Sequence, residues 1–221
     1  MAVGGVDSSR FDRRTADGLL STTRSVRKRL DLERPVERFV IEECLALAFQ
    51  APSGGNSQGW SWILVDDPAI KKHMADIYRG GMLDHRNREN VGDAPPPRGQ
   101  KGVKESVTYL AEVLDQVPVL LVPTINHSYG RSTTFQQAST WGSILPAVWN
   151  FMLALRSRGM GSAWTTIHLY REQEMAELLG IPFPGMTQAG LFPIAYTVGT
   201  RFSPAERDLS SERVSWNRWT D

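Results

Sequence analysis

Only one cysteine, Cys44, stands in 221 residues, so no disulfide can close within the chain and no cysteine-based zinc site can be completed. Long apolar runs are missing too. The longest, Val117–Ile125, is broken by Pro118 and Pro123 and falls far short of the roughly 20 residues that span a bilayer. Neither sign of charge dominates: 25 Lys and Arg face 24 Asp and Glu, leaving no global field to draw the chain to nucleic acid or an anionic membrane. The opening stretch, Met1–Arg14, has no apolar segment, so a secretory signal is not expected, and a lone thiol fits a reducing cytoplasm. No Gly-x-x-x-x-Gly-Lys-Ser/Thr loop occurs, no Gly-x-Gly-x-x-Gly opens a helix, and no Gly-x-Ser-x-Gly elbow is present. The histidines at 73, 85, 127 and 168 lack metal-ligand spacing.

What remains is an ordinary globular composition, 41% apolar and 22% charged, which excludes a mostly disordered chain and suits one large domain. Residues 1–10 read as a tail and Phe11–Leu20 as a first helix burying Leu19 and Leu20. Phe39, Val40, Cys44, Leu47 and Ala48 recur at helical spacing within Pro35–Gln50, with Cys44 on the apolar side as a small buried hydrophobe. A strand follows at Trp60–Val65, then a helix from Asp66-Asp67-Pro68 to about Tyr78. Gly80–Gly102 is rich in Arg, Asn, Asp and Gly and reads as a lid or insertion. A helix near Val103–Asp115, a strand near Val117–Ile125 and the apolar helix Ser143–Arg158, closed by Gly159-Met-Gly161, come next. A strand at Ser162–Ile167, a helix near Arg171–Leu179 and a last strand from Phe192 to Val198 complete an α+β or α/β alternation. Thr200–Asp221 carries Trp216 and Trp219 without periodicity and needs a surface to lie on, for which a partner subunit is the natural candidate.

Three segments could carry chemistry. Ala51–Trp60 offers flexible glycines, the Ser53 hydroxyl and the Asn56 and Gln58 amides, without charge. Such a loop can approach a planar polar ligand, and its residues are equally those of a helix–strand turn. Arg24-Ser25-Val26-Arg27 suits a phosphate, whose oxygens match guanidinium forks and a hydroxyl, or else forms a solvated basic helix end. Trp164-Thr165-Thr166 brings an aromatic and two hydroxyls to a strand end, which also fits plain β-propensity. Arg207 alone is an exposed arginine.

Taken in order, Arg-Ser-x-Arg, a helix into Ala-Pro-Ser-Gly-x-Asn-x-Gln-x-Trp, Trp-Thr-Thr and a late arginine before tryptophan, the chain resembles the FMN-dependent nitroreductase family from about Ser21 to Trp216. The resemblance implies an α+β subunit with a central mixed β-sheet flanked by helices. It also implies an interlocked homodimer holding one FMN at each end of its interface. Residues 1–20 would be tail and first helix, 21–199 the FMN-binding domain with 80–102 as its variable lid, and 200–221 an arm on the partner. Arg24 and Ser25 would grip the FMN phosphate and Arg27 would lie near flavin N1 and O2. Pro52, Ser53, Gly54 and Asn56 would come from the other subunit to the ribityl chain and ring edge. Trp164, Thr165 and Thr166 would line the ring near N5 and O4, and Arg207 would return to the phosphate. Thr23 replaces a frequent arginine, Gly59 a frequent proline, and Trp149 a common glutamine that could leave less room for the flavin.

The implied activity is ping-pong hydride transfer from NAD(P)H through FMN to a nitroaromatic, a quinone or a similar electrophile, with flavin N5 carrying the chemistry and no acid–base residue assigned. A specialised reductase such as a dehalogenase, or flavin storage without turnover, would use the same scaffold. Arg79, Arg86 and Arg88 are all available to a 2′-phosphate, so NADH and NADPH both remain open.

Overall fold

The computed structural model describes residues 12–88, 102–126, 133–207 and 214–219. Among these residues six α-helices and five strands follow in the order α1 (Arg13–Thr22), α2 (Arg38–Ala48), β1 (Trp60–Val65), α3 (Pro68–Arg88), α4 (Val103–Val113), β2 (Val119–Asn126), α5 (Thr134–Ser157), β3 (Met160–Ser162), α6 (Glu172–Leu179), β4 (Met186–Gln188) and β5 (Phe192–Tyr196). The sheet runs β1-β2-β5-β3, with β4 pairing the far end of β2. All these pairings are antiparallel, from Trp60 opposite Ile125 to Ser162 opposite Ile194. The parallel component is one bridge, Ser25 to Ser162.

Alternation along β2 divides the core. Leu120 and Val122 point to one face, Val119, Leu121 and Ile125 to the other, and all five are buried. The first face packs Met74, Ala75 and Tyr78 of α3, Leu110 and Ala111 of α4, and Met175 and Ala176 of α6. The second packs Ile41, Cys44 and Ala48 of α2 against Ile144, Val148, Phe151 and Leu155 of α5. A strand sandwiched by helices on both faces is covered along its length, and β2 is buried from Val119 to Ile125. Each fully buried large side chain contributes roughly 1.5–3 kcal/mol.

Local chemistry sets the helix limits. Asp67 Oδ1 accepts from the amides of Ala69 and Ile70, both at 2.9 Å, and Pro68 fills the first helical position of α3. The helix ends with His85, Arg86 and Arg88 in its last turn, a favourable match to its dipole. It therefore runs ten residues beyond the expected Tyr78 and takes in residues 80–88 of the expected lid; residues 89–101 lie outside those described. Helix α5 starts nine residues before the expected Ser143, at a capping box in which Thr133 and Gln136 bond each other's backbone amides.

Other expectations are corrected. The first helix has no buried residue, and Leu20 is 55% exposed, so neither Leu19 nor Leu20 is core. The strand expected at Ser162–Ile167 stops at Ser162, and Ile167 already belongs to a 3-10 turn, Ile167–Arg171. Only Thr165 keeps a ladder contact, exchanging backbone bonds with Leu191 at 3.1 and 2.8 Å. The last strand ends at Tyr196 rather than Val198, where Thr197 and Val198 turn to bond Gly159 and Arg29. Cys44 is buried as expected, and desolvation pushes its thiol up to about 11.

Candidate flavin site

The segment Arg24–Leu30 meets β3 at Ser25 and Val26 and then bridges from Leu30 to Thr197, just past the end of β5. Val26 donates its amide to Ser162 O at 2.8 Å, and its side chain is buried against the α3 face of the sheet. Gly161 makes this approach possible, since a Cβ there would stand 2.9 Å from Val26 Cβ. Arg24 is held by three carbonyls: Nη1 donates to Thr23 at 2.6 Å, and Nη2 to Ser21 at 2.6 Å and Ser203 at 3.1 Å. Two of its five N–H donors stay uncommitted. Thr23, standing where the family often has arginine, is buried and spends its hydroxyl on Leu19 O at 2.6 Å, closing α1.

Trp164, Thr165 and Thr166 come next to this segment because they continue directly from β3. Trp164 is half-buried, donates Nε1 to Ala189 O at 3.0 Å and packs on Phe192. Thr165 is buried and Thr166 exposed. Tyr78 of α3 is buried beside them: burial pushes its phenol up, while Thr165 and the charge of Arg27 oppose the shift, and Thr165 Oγ1 itself donates to Leu191 O at 2.9 Å. Arg27 Nε and Ser162 Oγ are buried here without a hydrogen-bond partner. Buried polar atoms are rarely left so, and two beside one edge mark a place where a polar ligand would satisfy them.

Two contributors gave no signal in the sequence. Tyr78 reads as one more apolar position of a helix. Gly190 sits at φ +153, and a Cβ on it would meet Trp164 Nε1 at 2.7 Å and Thr165 O at 3.0 Å, so only glycine lets Trp164 lie where it does.

The second half, Pro52–Asn56, hangs from β1. Gly54 N donates to Ser143 Oγ at 2.9 Å, and a Cβ on Gly54 would be 2.9 Å from Ser139 Oγ, so the loop is pressed onto α5. Gly55, Asn56 and Gln58 all have left-handed backbones. Gln58 N donates to Ser53 Oγ at 3.3 Å and Gln58 Nε2 to Asn56 Oδ1 at 3.0 Å, which fixes the loop's outward shape. β1 and β3 are opposite edges of the four-strand path. Three strand spacings, about 14 Å, therefore separate the two halves in the plane of the sheet. Arg207 is exposed and donates to Glu206 O at 3.0 Å, while Ser203, four residues earlier, touches Arg24. Trp149, at the middle of α5, is 40% exposed. Among the described residues, no cluster of His, Cys, Asp or Glu could hold a metal, and no helix is long and apolar enough to cross a membrane.

A helix-covered antiparallel sheet with a cationic, partly unsatisfied edge defines an α+β protein of the nitroreductase-like fold. The nitroreductase family model matches residues 20–196, and the chain belongs to that family. In sequence it is 28% identical over 136 residues to 5,6-dimethylbenzimidazole synthase of Rhodospirillum rubrum, matching 60% of this chain and 61% of that protein. The chain thus spans less than two thirds of that relative's length. In structure it is similar to iodotyrosine deiodinase bound to FMN and 3-iodo-L-tyrosine (TM-score 0.68, 19% identity, 91% of this chain and 98% of that one). It is also similar to an FMN- and NADPH-dependent nitroreductase from sphigopyxis sp. strain HMH (TM-score 0.67, 20% identity, 92% and 99%).

Proposed function

We propose that the chain is an FMN-dependent oxidoreductase, passing hydride from NAD(P)H to a small electrophile such as a nitroaromatic or a quinone. The observation that carries the reading is the β3 edge, where Arg27 Nε is buried without a partner beside Tyr78 and Thr165. These residues fit the cofactor: Arg24 and Ser25 would hold its phosphate, Arg27 the N1–O2 side, and Trp164, Thr165 and Thr166 the side near N5. Arg207 would join the phosphate from the tail. FMN, when bound, supplies two-electron acceptance and donation. The chain's own part is positional. A fixed guanidinium there would stabilise negative charge on the N1–O2 side, the bonds of Thr165 to Leu191 hold the strand end still, and Trp164 would exclude water from one side.

Pro52, Ser53, Gly54 and Asn56 would reach the same cofactor from a second copy of the chain, which accounts for their seat on the opposite sheet edge. That reading makes the protein a homodimer with 200–221 as an arm on its partner.

Anaerobic titration of the purified protein with NADH and with NADPH tests the function. The expected result is a bound flavin that bleaches, then regains colour on adding a nitroaromatic or a quinone. Protein that neither carries nor takes up FMN would refute it. Colour regained with 3-iodo-L-tyrosine alone would favour the dehalogenase alternative, which the likeness to iodotyrosine deiodinase supports. Bound flavin that resists bleaching would instead indicate storage. Arg24→Ala is expected to weaken FMN binding by about 1.5–3 kcal/mol, the loss of a charge-assisted phosphate bond. Unchanged affinity in a fluorescence titration would remove Arg24 from the site.

A further inference from the structure

Between Val198 and Ser203 the main chain is gripped by arginines almost carbonyl by carbonyl. Arg29 donates Nε to Val198 O at 2.9 Å, Nη2 to Gly199 O at 2.7 Å and Nη1 to Arg201 O at 2.8 Å. Arg156, from the last turn of α5, donates Nη2 to Thr200 O at 3.1 Å. Ser203 O is taken by Arg24. Gly199 has φ +74, and a Cβ there would come within 3.0 Å of Arg29 Nη2, so the segment is shaped to the guanidinium. Phe202 closes the arrangement, with Arg29 Cζ 4.1 Å and Arg156 Cζ 4.5 Å from its ring centroid. The ring also packs against the core face formed by α3, α4 and α6.

A loop that needed only to leave the sheet would not need this. Water satisfies exposed carbonyls at little cost, and five bonds from three arginines hold long side chains in one geometry each, which is entropically unfavourable. Cations over an aromatic face add attraction and fix the ring in place. The product is a rigid peptide whose last anchored carbonyl, that of Ser203, adds a long-range hold on an Arg24 otherwise bound to its neighbours Thr23 and Ser21. Arg29 is suited to the task because a planar fork meets several carbonyls at once, which an ammonium cannot do.

We propose that Phe202, with Arg29 and Arg156, is a latch that positions Arg24 for the phosphate of the cofactor. It rests on the flavin reading given above. These three are positioning residues that would act through Ser203 O on Arg24, and so on the phosphate end of the cofactor. The latch therefore affects the phosphate alone.

FMN and riboflavin differ by that phosphate, so the test is titration of both, by fluorescence quenching, against the full chain and its variants. Phe202→Ala is expected to bind FMN roughly 10-fold more weakly, a single misdirected charge-assisted bond, with riboflavin affinity unchanged. Phe202→Tyr, which keeps the ring, restores FMN binding. Arg156→Gln, which lacks the cation but leaves the core packing of Phe202, shows the same selective loss and serves if Phe202→Ala does not fold. Equal weakening toward both flavins would make the residue merely structural and overturn the latch. So would unchanged FMN binding in Phe202→Ala and Arg156→Gln. Wild-type protein that binds neither flavin would overturn the flavin reading itself, and is distinguished by failing before any substitution.

Discussion

Gly81→Ala is expected to lower the melting temperature by about 5–10 °C, while the same change one residue earlier costs little. A Cβ on Gly81 would stand 2.3 Å from the carbonyl oxygen of Ile167 and 3.1 Å from its carbon. Both are backbone atoms, and Ile167 opens the 3-10 turn packed against α3, so no rotamer change relieves the clash. Overpacking of this kind costs roughly 1–3 kcal/mol, the upper end where backbone must move, and alanine returns some of it through helix propensity. At this chain length each kcal/mol shifts the midpoint by about 2–4 °C. A Cβ on Gly80 would meet Arg171 Cζ at 2.5 Å, the mobile end of a flexible side chain. That guanidinium can swing away, losing its 2.7 Å bond to Asp84 Oδ2, for under about 1 kcal/mol in a partly exposed pair. Thermal unfolding followed by circular dichroism checks the contrast, and equal losses at both positions would contradict the packing. Because Ile167 directly follows Thr166, Gly81→Ala should also disturb the ring-side hydroxyls.

The protein is expected to lose stability as pH falls from 6.5, through His168. Its imidazole is fully buried, neither ring nitrogen finds a hydrogen-bond partner, and burial pushes its pKa down to about 3. Gln188 acts in the opposite direction and is outweighed by burial. The sign follows from proton counting. Between pH 6.5 and about 3 the unfolded chain binds a proton at this position and the folded chain does not, so stability rises with pH across that window. Nothing is lost above 6.5, and the loss grows by about 1.4 kcal/mol per unit below it. At pH 5 the deficit is about 2 kcal/mol. His168→Leu removes the titration, so the difference in denaturant-unfolding free energy between pH 7 and pH 5 should shrink by that amount. An unchanged difference would place the acid sensitivity elsewhere.

How much of this was legible in the sequence depended on whether the signal was local. β1 was read to the residue, because Trp60–Val65 is bounded by Gly59 and by Asp66-Asp67-Pro68. β2 was read within two residues from its apolar run. The first nine residues of α5 show no apolar period, since Thr134–Gly142 is mostly polar, although Thr133 and Gln136 form a recognisable capping box. Trp164–Thr166 reads as strand on propensity, but only Thr165 pairs as one, with Leu191, while Trp164 turns its side-chain donor to Ala189. β4 leaves no sequence signal, since Met186–Gln188 is too short to show a period. Candidate site residues could be picked out by type and order, and Arg24, Ser25, Arg27 and Trp164–Thr166 do come together. The remoteness of Pro52–Asn56 could not be read, because strand order decides which segments share an edge. Nor did anything mark Tyr78, Gly190 or the arginine-bound carbonyls of Val198–Ser203, whose roles exist only between segments distant in the chain.

With one half of the site on β1 and the other on β3, the dimer proposed above would join cofactor occupancy to protein concentration. Dilution would strip flavin from the subunits even with the pocket residues intact. Saturating flavin would hold subunits together at concentrations where they otherwise separate, and the two effects must be equal in size.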